Sequence, residues 1–271
     1  MNDCSDKEGE KLSRILTADD VERLQRQNTR LVNEHKAKML EVHAKKRWDI
    51  FYKRNEARFY KDRHWTTREF QDLVETSDER RNLFEVGCGA GNFIFPLLEL
   101  GLNFKIFACD LSPRAVEIVK LHSLYNESLI KVFQCDITSE DVFNTLELES
   151  LDIITMIFVL SAIHPDKFLR TLKNVFKLLK PGGVLLFRDY GLYDMAQMRF
   201  KPGHKISENF YMRQDGTRTY FFSLELVEEK LLSCGFKIVS NSYIHRRTIN
   251  IKENIDVPRI FVQAKAKRPV Q

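Results

Sequence analysis

The fold of this 271-residue chain is indicated first by Leu83-Phe-Glu-Val-Gly-Cys-Gly-Ala-Gly-Asn92. A short, mostly apolar run with one acid, Glu85, leads into three glycines at alternate positions, and apolar residues follow at helical spacing. Strand, glycine turn and helix in this order build a nucleotide-binding corner. Glycine suits the turn because it tolerates positive φ and lets a ligand approach the backbone closely. An ordinary glycine turn is the alternative, so the motif needs support from the rest of the chain.

Two acids further along the chain indicate which class of nucleotide the glycine turn would bind. The third glycine of a dinucleotide fingerprint would fall on Asn92, which counts against a pyrophosphate site. Asp110 ends a second apolar run 19 residues after Gly91, where a ribose hydroxyl pair is bound. Asp136 ends a third such run. Together these features resemble the class I S-adenosylmethionine-dependent methyltransferases, in which the third position lies near the adenine.

The core of the chain alternates strand and helix. Strands are predicted near 83–86, 104–109, 130–135, 151–158 and 183–189, and helices near 92–100, 113–121, 138–146 and 166–179. A helix near 223–234 and strands near 236–245 and 258–264 complete the sheet. The predicted fold is therefore α/β, class I and Rossmann-like, with a seven-stranded, mostly parallel sheet and helices on both faces. Ligands bind beyond the carboxyl ends of such strands, where Gly87, Asp110, Asp136, Asp189 and the segment 157–164 all fall.

Segments outside this alternation divide the chain into four predicted parts. Residues 1–80 form a helical extension, in which 1–14 are predicted to be disordered and Thr17 to Asp20 to be a capping box. The methyltransferase core spans 81–189, and 190–222 is an insertion with a hairpin turn at Asp215-Gly216. The end of the core and a basic tail occupy 223–271.

The positive charge lies outside the predicted nucleotide-binding core. Residues 81–187 carry 10 Lys and Arg against 12 Asp and Glu, whereas 36–68 carry 11 against 4 and 243–271 carry 7 against 2. The first basic segment is mixed with aromatics, which suits phosphates and unstacked bases. A solvated surface is the plainer explanation, but two basic segments beside a near-neutral core favour an anionic macromolecule over a small substrate.

Several classes of protein are not indicated. No apolar run reaches the roughly 18 residues of a membrane helix, and the first ten residues do not resemble a signal peptide. The five cysteines show no Cys-x-x-Cys spacing, so neither a zinc site nor a disulfide framework is expected. We therefore expect no membrane partner, no metal, and a cytoplasmic or nuclear location.

Strings beyond the cofactor motif carry a more specific resemblance. Trp48-Asp-Ile-Phe-Tyr-Lys-Arg-Asn55, Lys61-Asp-Arg-His-Trp-Thr-Thr-Arg-Glu-Phe70, Ser161-Ala-Ile-His-Pro-Asp-Lys167 and Asn209-Phe-Tyr-Met-Arg-Gln-Asp-Gly-Thr217 resemble the eukaryotic tRNA N3-methylcytidine methyltransferases, and most closely the short members acting on serine tRNAs. The resemblance covers roughly residues 12–265. It implies methylation of cytidine N3 at position 32 of the tRNA anticodon loop, S-adenosylmethionine as cofactor, and seryl-tRNA synthetase as a partner.

The resemblance also implies site residues. In the cofactor site, Trp48 and Tyr52 would form a cover, and Gly87 and Gly89 the glycine turn. Asp110 would bind the ribose, and Asp136 with Ile137 would lie on the adenine side. Ile157 would also line the site. An RNA-recognition module would come from the N-terminal segment, the insertion and the C-terminal residues. Its predicted contacts are Lys45, Lys46, Arg47, Arg63, His64, Arg188, Tyr190 and Arg213.

The predicted chemistry needs no strong base, because cytosine N3 carries an in-plane lone pair and is mostly unprotonated at neutral pH. Positioning, desolvation and charge complementarity then become the work of the protein. We predict Asp189 as the catalytic residue, with its carboxylate accepting a hydrogen bond from the cytosine N4 amino group. The alternative is that Asp189 caps the turn that follows or pairs with a nearby Arg. At the level of function, a methyltransferase for protein or a small molecule and a non-catalytic RNA-binding scaffold are the alternatives.

Overall fold

The structure is a computed structural model that describes residues 13–75, 77, 79–250 and 255–270. The predicted disorder of residues 1–14 falls almost entirely outside these residues. None of the helices within the described residues is both long and apolar enough to cross a membrane.

A seven-stranded sheet forms the centre of the fold, as predicted. Its strands are β1 Arg81–Val86, β2 Phe104–Asp110, β3 Ile130–Gln134, β4 Leu151–Ile157, β5 Leu179–Tyr190, β9 Lys237–Asn250 and β10 Ile255–Lys267. The spatial order is β3-β2-β1-β4-β5-β10-β9, and β10 runs antiparallel to both of its neighbours. The carboxyl ends of the other strands therefore share one edge, where the predicted site residues meet.

Alternation along each strand buries both faces of the sheet. Leu83 of β1 packs in one apolar cluster with α5 Ile94–Glu99 and α6 Pro113–Lys120. Its neighbour Phe84 packs in a second cluster with α7 Phe168–Leu178 and α9 Leu224–Ser233. Nearly continuous apolar strands are what a sheet covered on both faces requires. The predicted helices on both faces are thus confirmed.

One predicted helix is wrong. Between β3 and β4 the structure has only a 3₁₀ turn, Glu140–Asn144, in place of a helix over 138–146. Ser139 caps this turn by accepting a hydrogen bond from the Asp141 N–H. The buried apolar residues of this segment are Val142 and Leu146. Their apolar face is too narrow to hold a longer helix against the sheet.

The N-terminal extension consists of three helices, α1 Ala18–Asn28, α2 Glu34–Val42 and α3 Ala44–Asn55, followed by the short α4 Thr66–Glu69. The predicted capping box is present: Thr17 Oγ1 accepts from the Asp20 N–H, and the Asp20 carboxylate accepts from the Thr17 N–H. Gln27 of α1 reaches the insertion, donating to the Gln197 carbonyl and accepting from the Tyr211 hydroxyl. The extension is therefore anchored to the insertion.

The insertion contains the short helix α8 Met195–Met198 and a three-stranded antiparallel sheet, β6 Lys205–Ser207, β7 Phe210–Met212 and β8 Arg218–Tyr220. The predicted hairpin turn joins β7 and β8, with Asp215 accepting hydrogen bonds from the Thr217 N–H and hydroxyl. The third strand, β6, was not predicted, because its three residues lie outside the aromatic-rich runs on either side of Asp215-Gly216. Asp194 fastens the start of the insertion to β10 by accepting from the Ile260 N–H and from Arg259.

Candidate active site

The glycine turn brings the N-terminal extension into direct contact with the core. Gly87 and Gly89 both have positive φ, at 67° and 54°. A Cβ on Gly89 would lie 2.6 Å from the Tyr52 hydroxyl, and a Cβ on Gly87 would lie 2.6 Å from a Val159 methyl group. These approaches explain why only glycine fits, since any side chain would push α3 or the chain after β4 away from the turn.

Asp110 lies at the end of β2 and holds the glycine turn from below. Its Oδ2 accepts from the Gly89 N–H and its Oδ1 from the Ser112 N–H, both at 2.9 Å. Burial raises the pKa of this carboxyl to about 6, although the hydrogen bonds from Ser112 and Gly89 oppose the rise. Each carboxylate oxygen keeps a second lone pair, so Asp110 can still accept ribose hydroxyls.

Helix α3 is docked over this edge by one carboxylate. Asp49 Oδ1 accepts from the Ser112 hydroxyl at 2.9 Å and from the Arg114 N–H at 3.1 Å, at the start of α6. A negative charge at a helix N-terminus is favourable. The docking holds Trp48 and Tyr52 above the glycine turn.

These elements enclose a first cavity of about 460 Å³. Its size is that of a typical cofactor pocket. Seven of the eight predicted cofactor residues line it: Trp48, Tyr52, Gly87, Gly89, Asp110, Asp136 and Ile137. Carboxylates for hydroxyl groups, an open glycine turn and an aromatic cover fit S-adenosylmethionine.

Ile157 is the exception: its side chain does not line the cavity, although its carbonyl accepts a hydrogen bond from Arg63, which does. As the last residue of β4 it is buried in the apolar cluster between the sheet and α5. The chain then turns at Phe158, whose φ is 60°, and it is Phe158 and Val159 that line the cavity. The spacing located the end of the strand but not the direction of the side chain.

A buried carboxyl group, that of Glu85, lies beneath the first cavity and faces a guanidinium group. Glu85 is 2% exposed, and its Oε1 lies 3.9 Å from Arg63 Nη1, while its Oε2 has no hydrogen-bond partner in the described part of the chain. Burial raises the pKa of Glu85 to about 8, which outweighs the attraction of Arg63 at this distance. Arg63 is itself anchored, because its N–H donates to the Asn92 carbonyl and Nη1 donates to the Ile157 carbonyl.

A second carboxylate closes the rim of the first cavity. Glu41, at the end of α2, pairs with Lys167 at 2.5 Å and with Arg218 of β8. Partial burial alone would raise the pKa of Glu41. The hydrogen bonds from Lys167 and Arg218 outweigh burial and lower this pKa below its usual value. The extension, the core and the insertion thus meet at one ion-pair cluster.

A second cavity of about 690 Å³ lies beside the first. Six arginines, one lysine and eight aromatic residues line it, with Glu69 as the one carboxylate among the lining residues. The arginines are Arg63, Arg68, Arg188, Arg213, Arg246 and Arg259, and the aromatics are Phe59, Tyr60, Trp65, Phe158, Tyr190, Phe200, Phe221 and Phe261. Such a lining suits a polyanion that carries flat bases.

The cations of the second cavity are held by rings and by Glu69. The Arg188 guanidinium lies 4.2 Å from the Trp65 ring centroid and 5.0 Å from that of Phe261, and its Nη1 is 3.6 Å from Glu69. Burial lowers the pKa of Arg188 to about 10, so it remains charged at neutral pH. The Arg213 guanidinium lies 5.4 Å from the centroid of the Tyr190 ring. The positive charge is therefore fixed in place before any ligand binds.

Three residues line both cavities: Tyr60, Arg63 and Phe158. The Arg63 guanidinium lies 5.5 Å from the centroid of the Phe158 ring. Strand β8 also separates the cavities, because Arg218 lines the first and the next residue, Thr219, lines the second. The two cavities are therefore adjacent, and these side chains form the wall between them.

Asp189 is hydrogen-bonded within the protein, and its contact with the substrate stays a prediction. Its side chain is fully buried, lines neither cavity, and accepts hydrogen bonds from the Ser161 N–H and the Tyr190 N–H, both at 2.9 Å. Arg188 and Tyr190 point to the second cavity, so alternation along β5 points Asp189 to the opposite face. These hydrogen bonds fit the alternative role of Asp189, a cap on the turn after β5.

The other predicted RNA contacts fall in two places. Arg63, Arg188, Tyr190 and Arg213 meet in the second cavity. Lys45, Lys46 and Arg47 are exposed on α3, where Lys45 reaches the rim of the first cavity and Arg47 packs against the turn at Gly216. His64 is exposed and lines neither cavity. Within the described residues, no group of three or more His, Cys, Asp or Glu side chains could hold a metal ion.

Comparisons with known proteins agree with this geometry. The family described as Methyltransferase domain matches residues 84–185. The chain is 50% identical to the tRNA N(3)-cytidine methyltransferase METTL6 of Homo sapiens over 95% of its length and 91% of the relative. It is 45% identical to the tRNA N(3)-methylcytidine methyltransferase trm141 of Schizosaccharomyces pombe, over 83% of the chain and 92% of the relative.

Solved structures share the fold at low sequence identity. A SAM-dependent methyltransferase from Anabaena variabilis matches with a TM-score of 0.61 at 14% identity, covering 83% of this chain and 94% of that one. A Burkholderia thailandensis 1,6-didemethyltoxoflavin-N1-methyltransferase, solved with S-adenosylhomocysteine, matches with a TM-score of 0.56 at 14% identity, over 84% of this chain and 89% of that one. The fold and the first cavity define a class I S-adenosylmethionine-dependent methyltransferase. Within that class, the chain belongs to the tRNA N(3)-cytidine methyltransferase family.

The contact between Tyr52 and Gly89 predicts the effect of one added methyl group. Gly89→Ala should weaken S-adenosylhomocysteine binding at least about tenfold, measured by calorimetry, because the new Cβ displaces the Tyr52 hydroxyl. Gly101→Ala is the matched control, since Gly101 also has positive φ but has no atom within 4 Å of the added Cβ. Tyr52→Phe combined with Gly89→Ala should restore part of the affinity. An unrestored double variant would show that the turn itself is damaged.

The raised pKa of Glu85 predicts a pH-dependent difference in stability. The unliganded folded state binds this proton more tightly than the unfolded state, so the stabilising contribution is present below pH 4.5 and is lost as pH rises through about 8. Glu85→Gln stays neutral. Its free energy of unfolding, relative to the wild type, should therefore increase from pH 5 to pH 8 by at least about 1 kcal/mol.

Urea unfolding at several pH values measures this difference. Glu99→Gln, at an exposed position on α5, is the control and should differ from the wild type by a constant amount. A constant difference for Glu85→Gln as well would contradict the raised pKa.

Proposed function

We propose that this methyltransferase transfers a methyl group to N3 of a cytidine in tRNA, at position 32 of the anticodon loop, and that serine tRNAs are its substrates. Family membership supports the tRNA and the cytidine N3, because the relatives are named for that reaction. The likeness of the strings around Trp48, Lys61, Ser161 and Asn209 to the short members of the family supports the choice of loop position and of serine tRNAs.

The shared wall of the two cavities is the observation that carries the proposal. A cofactor in the first cavity and a base in the second would meet across Tyr60, Arg63 and Phe158. The second cavity offers rings for a base and guanidinium groups for phosphates. A small neutral substrate would not need six arginines, so the cavity is matched to a nucleotide within RNA.

The proposed reaction requires the protein to position the reactants and to desolvate them. S-adenosylmethionine supplies an electrophilic methyl group, and cytosine N3 supplies a lone pair without prior deprotonation. N3 lies on the Watson–Crick edge, so the base must leave its stack to enter the second cavity, and a loop nucleotide leaves at low cost. The rings of Tyr60 and Phe158 line the wall, and a bound base that displaces water there would strengthen the hydrogen bonds that hold it.

Charge outside the cavities supports a macromolecular substrate. The exposed side chains of Lys45, Lys46 and Arg47 extend the positive surface from the rim of the first cavity to the hairpin turn at Gly216. Phosphates flanking a flipped nucleotide would follow such a path. We further propose that seryl-tRNA synthetase presents the tRNA, and that the chain works in the cytoplasm or the nucleus.

A protein substrate is the competing proposal. Methyl transfer from labelled S-adenosylmethionine to total tRNA and, separately, to total protein decides between them. Nuclease digestion and mass spectrometry of the tRNA should then yield N3-methylcytidine, and purified isoacceptors should place it in serine tRNAs. Addition of seryl-tRNA synthetase tests the partner. Label in protein alone would reject the tRNA proposal, and label in neither would favour a non-catalytic scaffold.

Arg213 should separate cofactor binding from methyl transfer. It lines the second cavity and not the first, so Arg213→Gln should bind S-adenosylhomocysteine within about threefold of the wild type. Removal of a charged hydrogen-bond donor should lower kcat/KM for tRNA by roughly 10- to 100-fold. Arg170→Gln, at an exposed position on α7, is the control and should change neither quantity. Normal methylation by the Arg213 variant would place the base elsewhere.

The α3 cations should set the salt dependence of tRNA binding. Replacing Lys45, Lys46 and Arg47 with Gln should weaken binding and flatten the plot of log affinity against log salt by roughly 0.7–0.9 for each phosphate that is no longer neutralised. The control replaces Lys105, Lys120 and Lys131, three exposed lysines that line a different cavity. Equal slopes for the two triple variants would show that the α3 cations do not touch the phosphates.

A further inference from the structure

Arg63 occupies a position that RNA binding alone does not explain. The basic and aromatic segment in which it lies predicts an RNA contact, yet its side chain lines both cavities and is only 13% exposed. Its backbone is tied to the glycine turn through the Asn92 carbonyl, and its guanidinium to the end of β4 through the Ile157 carbonyl. Arg63 is thus a fixed cation over β1 and β4, at the inner end of the first cavity.

We propose that the Arg63 guanidinium binds the carboxylate of the cofactor's methionine moiety, and so sets the position of the methyl group at the shared wall. The inference rests on the proposed function in one respect, that the methyl acceptor enters through the second cavity. The other steps concern the cofactor and the first cavity alone.

The charges along the first cavity orient the cofactor. An acid at the end of the second strand binds ribose hydroxyls, which assigns the middle of the cavity to Asp110. On the β3 side the cavity is lined by Cys135, Asp136, Ile137 and Thr138. None of these residues is a cation, and the Asp136 carboxylate would repel the carboxylate of the cofactor. The apolar part of that side suits a flat base. The amino-acid end therefore lies over β1 and β4, beside Arg63.

The shared wall requires the same orientation independently. The methyl group has to face the second cavity, and the wall between the cavities consists of Tyr60, Arg63 and Phe158. Phe158 directly follows β4, so this wall is at the β1 and β4 side. The sulfur is attached to the amino-acid chain, which brings the carboxylate close to Arg63.

Charge pairing among the cations that line the first cavity points to the same residue. They are Lys45, Arg63, Lys167 and Arg218. Lys167 and Arg218 are already paired with Glu41. Lys45 is exposed at the rim, on α3, and Asp49 docks this helix on the start of α6. Arg63 faces the carboxyl of Glu85 at 3.9 Å, without a hydrogen bond between them, and its planar fork suits a carboxylate.

The experiment compares two ligands that differ in the amino-acid moiety. Calorimetry measures the binding of S-adenosylhomocysteine, which has the carboxylate, and of 5′-methylthioadenosine, which lacks it. Arg63→Gln should lower the affinity for S-adenosylhomocysteine by roughly 10- to 100-fold and leave 5′-methylthioadenosine within about twofold of the wild type. Arg63→Lys keeps the charge but loses the fork, so its decrease in affinity should be smaller.

Two control variants test whether the effect is specific to Arg63. Arg68→Gln, at a residue that lines the second cavity only, should leave both affinities unchanged. An equal decrease for both ligands in Arg63→Gln would overturn the inference, because it would indicate a purely structural role. A selective decrease in Lys45→Gln but not in Arg63→Gln would also overturn it. If Arg63→Gln does not fold, the ratio of the two affinities in Arg63→Lys decides: a ratio equal to that of the wild type rejects the inference.

No RNA is present in these titrations. Failure of wild-type protein to methylate tRNA would therefore reject the proposed function, whereas an unchanged ligand preference in the Arg63 variants would reject this inference alone.

Discussion

The contact between the Tyr52 hydroxyl and Gly89 is the constraint on which the active site depends. It exists because Gly89 has no side chain, and it lets α3 rest directly on the glycine turn. Asp110 fixes the same turn from the other side through the Gly89 N–H, and Asp49 fixes α3 on the start of α6. The cofactor cavity is thus built between the core and the N-terminal extension. For this reason a truncation of the extension would remove the roof of the cavity as well as basic surface.

Features set by local sequence were predictable. The glycine turn, the capping box at Thr17 and the hairpin at Asp215 each depend on residues within a few positions, and each is present. Asp110 was predictable because the end of an apolar strand fixes where the next polar residue lies in a parallel sheet. These rules locate the edge of the sheet on which side chains converge.

The direction of a side chain at that edge was not predictable in the same way. Asp189 ends an apolar run as Asp110 does, but its side chain lines neither cavity, and the side chain of Ile157 is buried in the core. In each case the direction follows from the register of the strand with its neighbours and from the turn that follows. The second cavity is a further step removed, because its walls come from segments as distant as Phe59 and Phe261 and exist only after the fold has formed.

The second cavity concentrates more positive charge than its one lining carboxylate can balance. Arg188 is stacked between Trp65 and Phe261 beside Glu69, and Arg259 is paired with Asp194, so these arginines are held close together despite their repulsion. Mutual repulsion of fixed cations costs folding free energy and is relieved when an anion binds. Phosphates of RNA would supply that anion. The cavity is therefore preorganised for its ligand at some expense to the stability of the unliganded protein.

The shared wall couples the two cavities physically. Tyr60, Arg63 and Phe158 are common to both. A shift of any of these side chains changes the distance between the two reacting groups, and methyl transfer depends steeply on that distance. A decrease in tRNA methylation after a change at the wall consequently does not show which cavity was altered. Only binding of a cofactor analogue in the absence of RNA separates the two, because it reports on the first cavity alone.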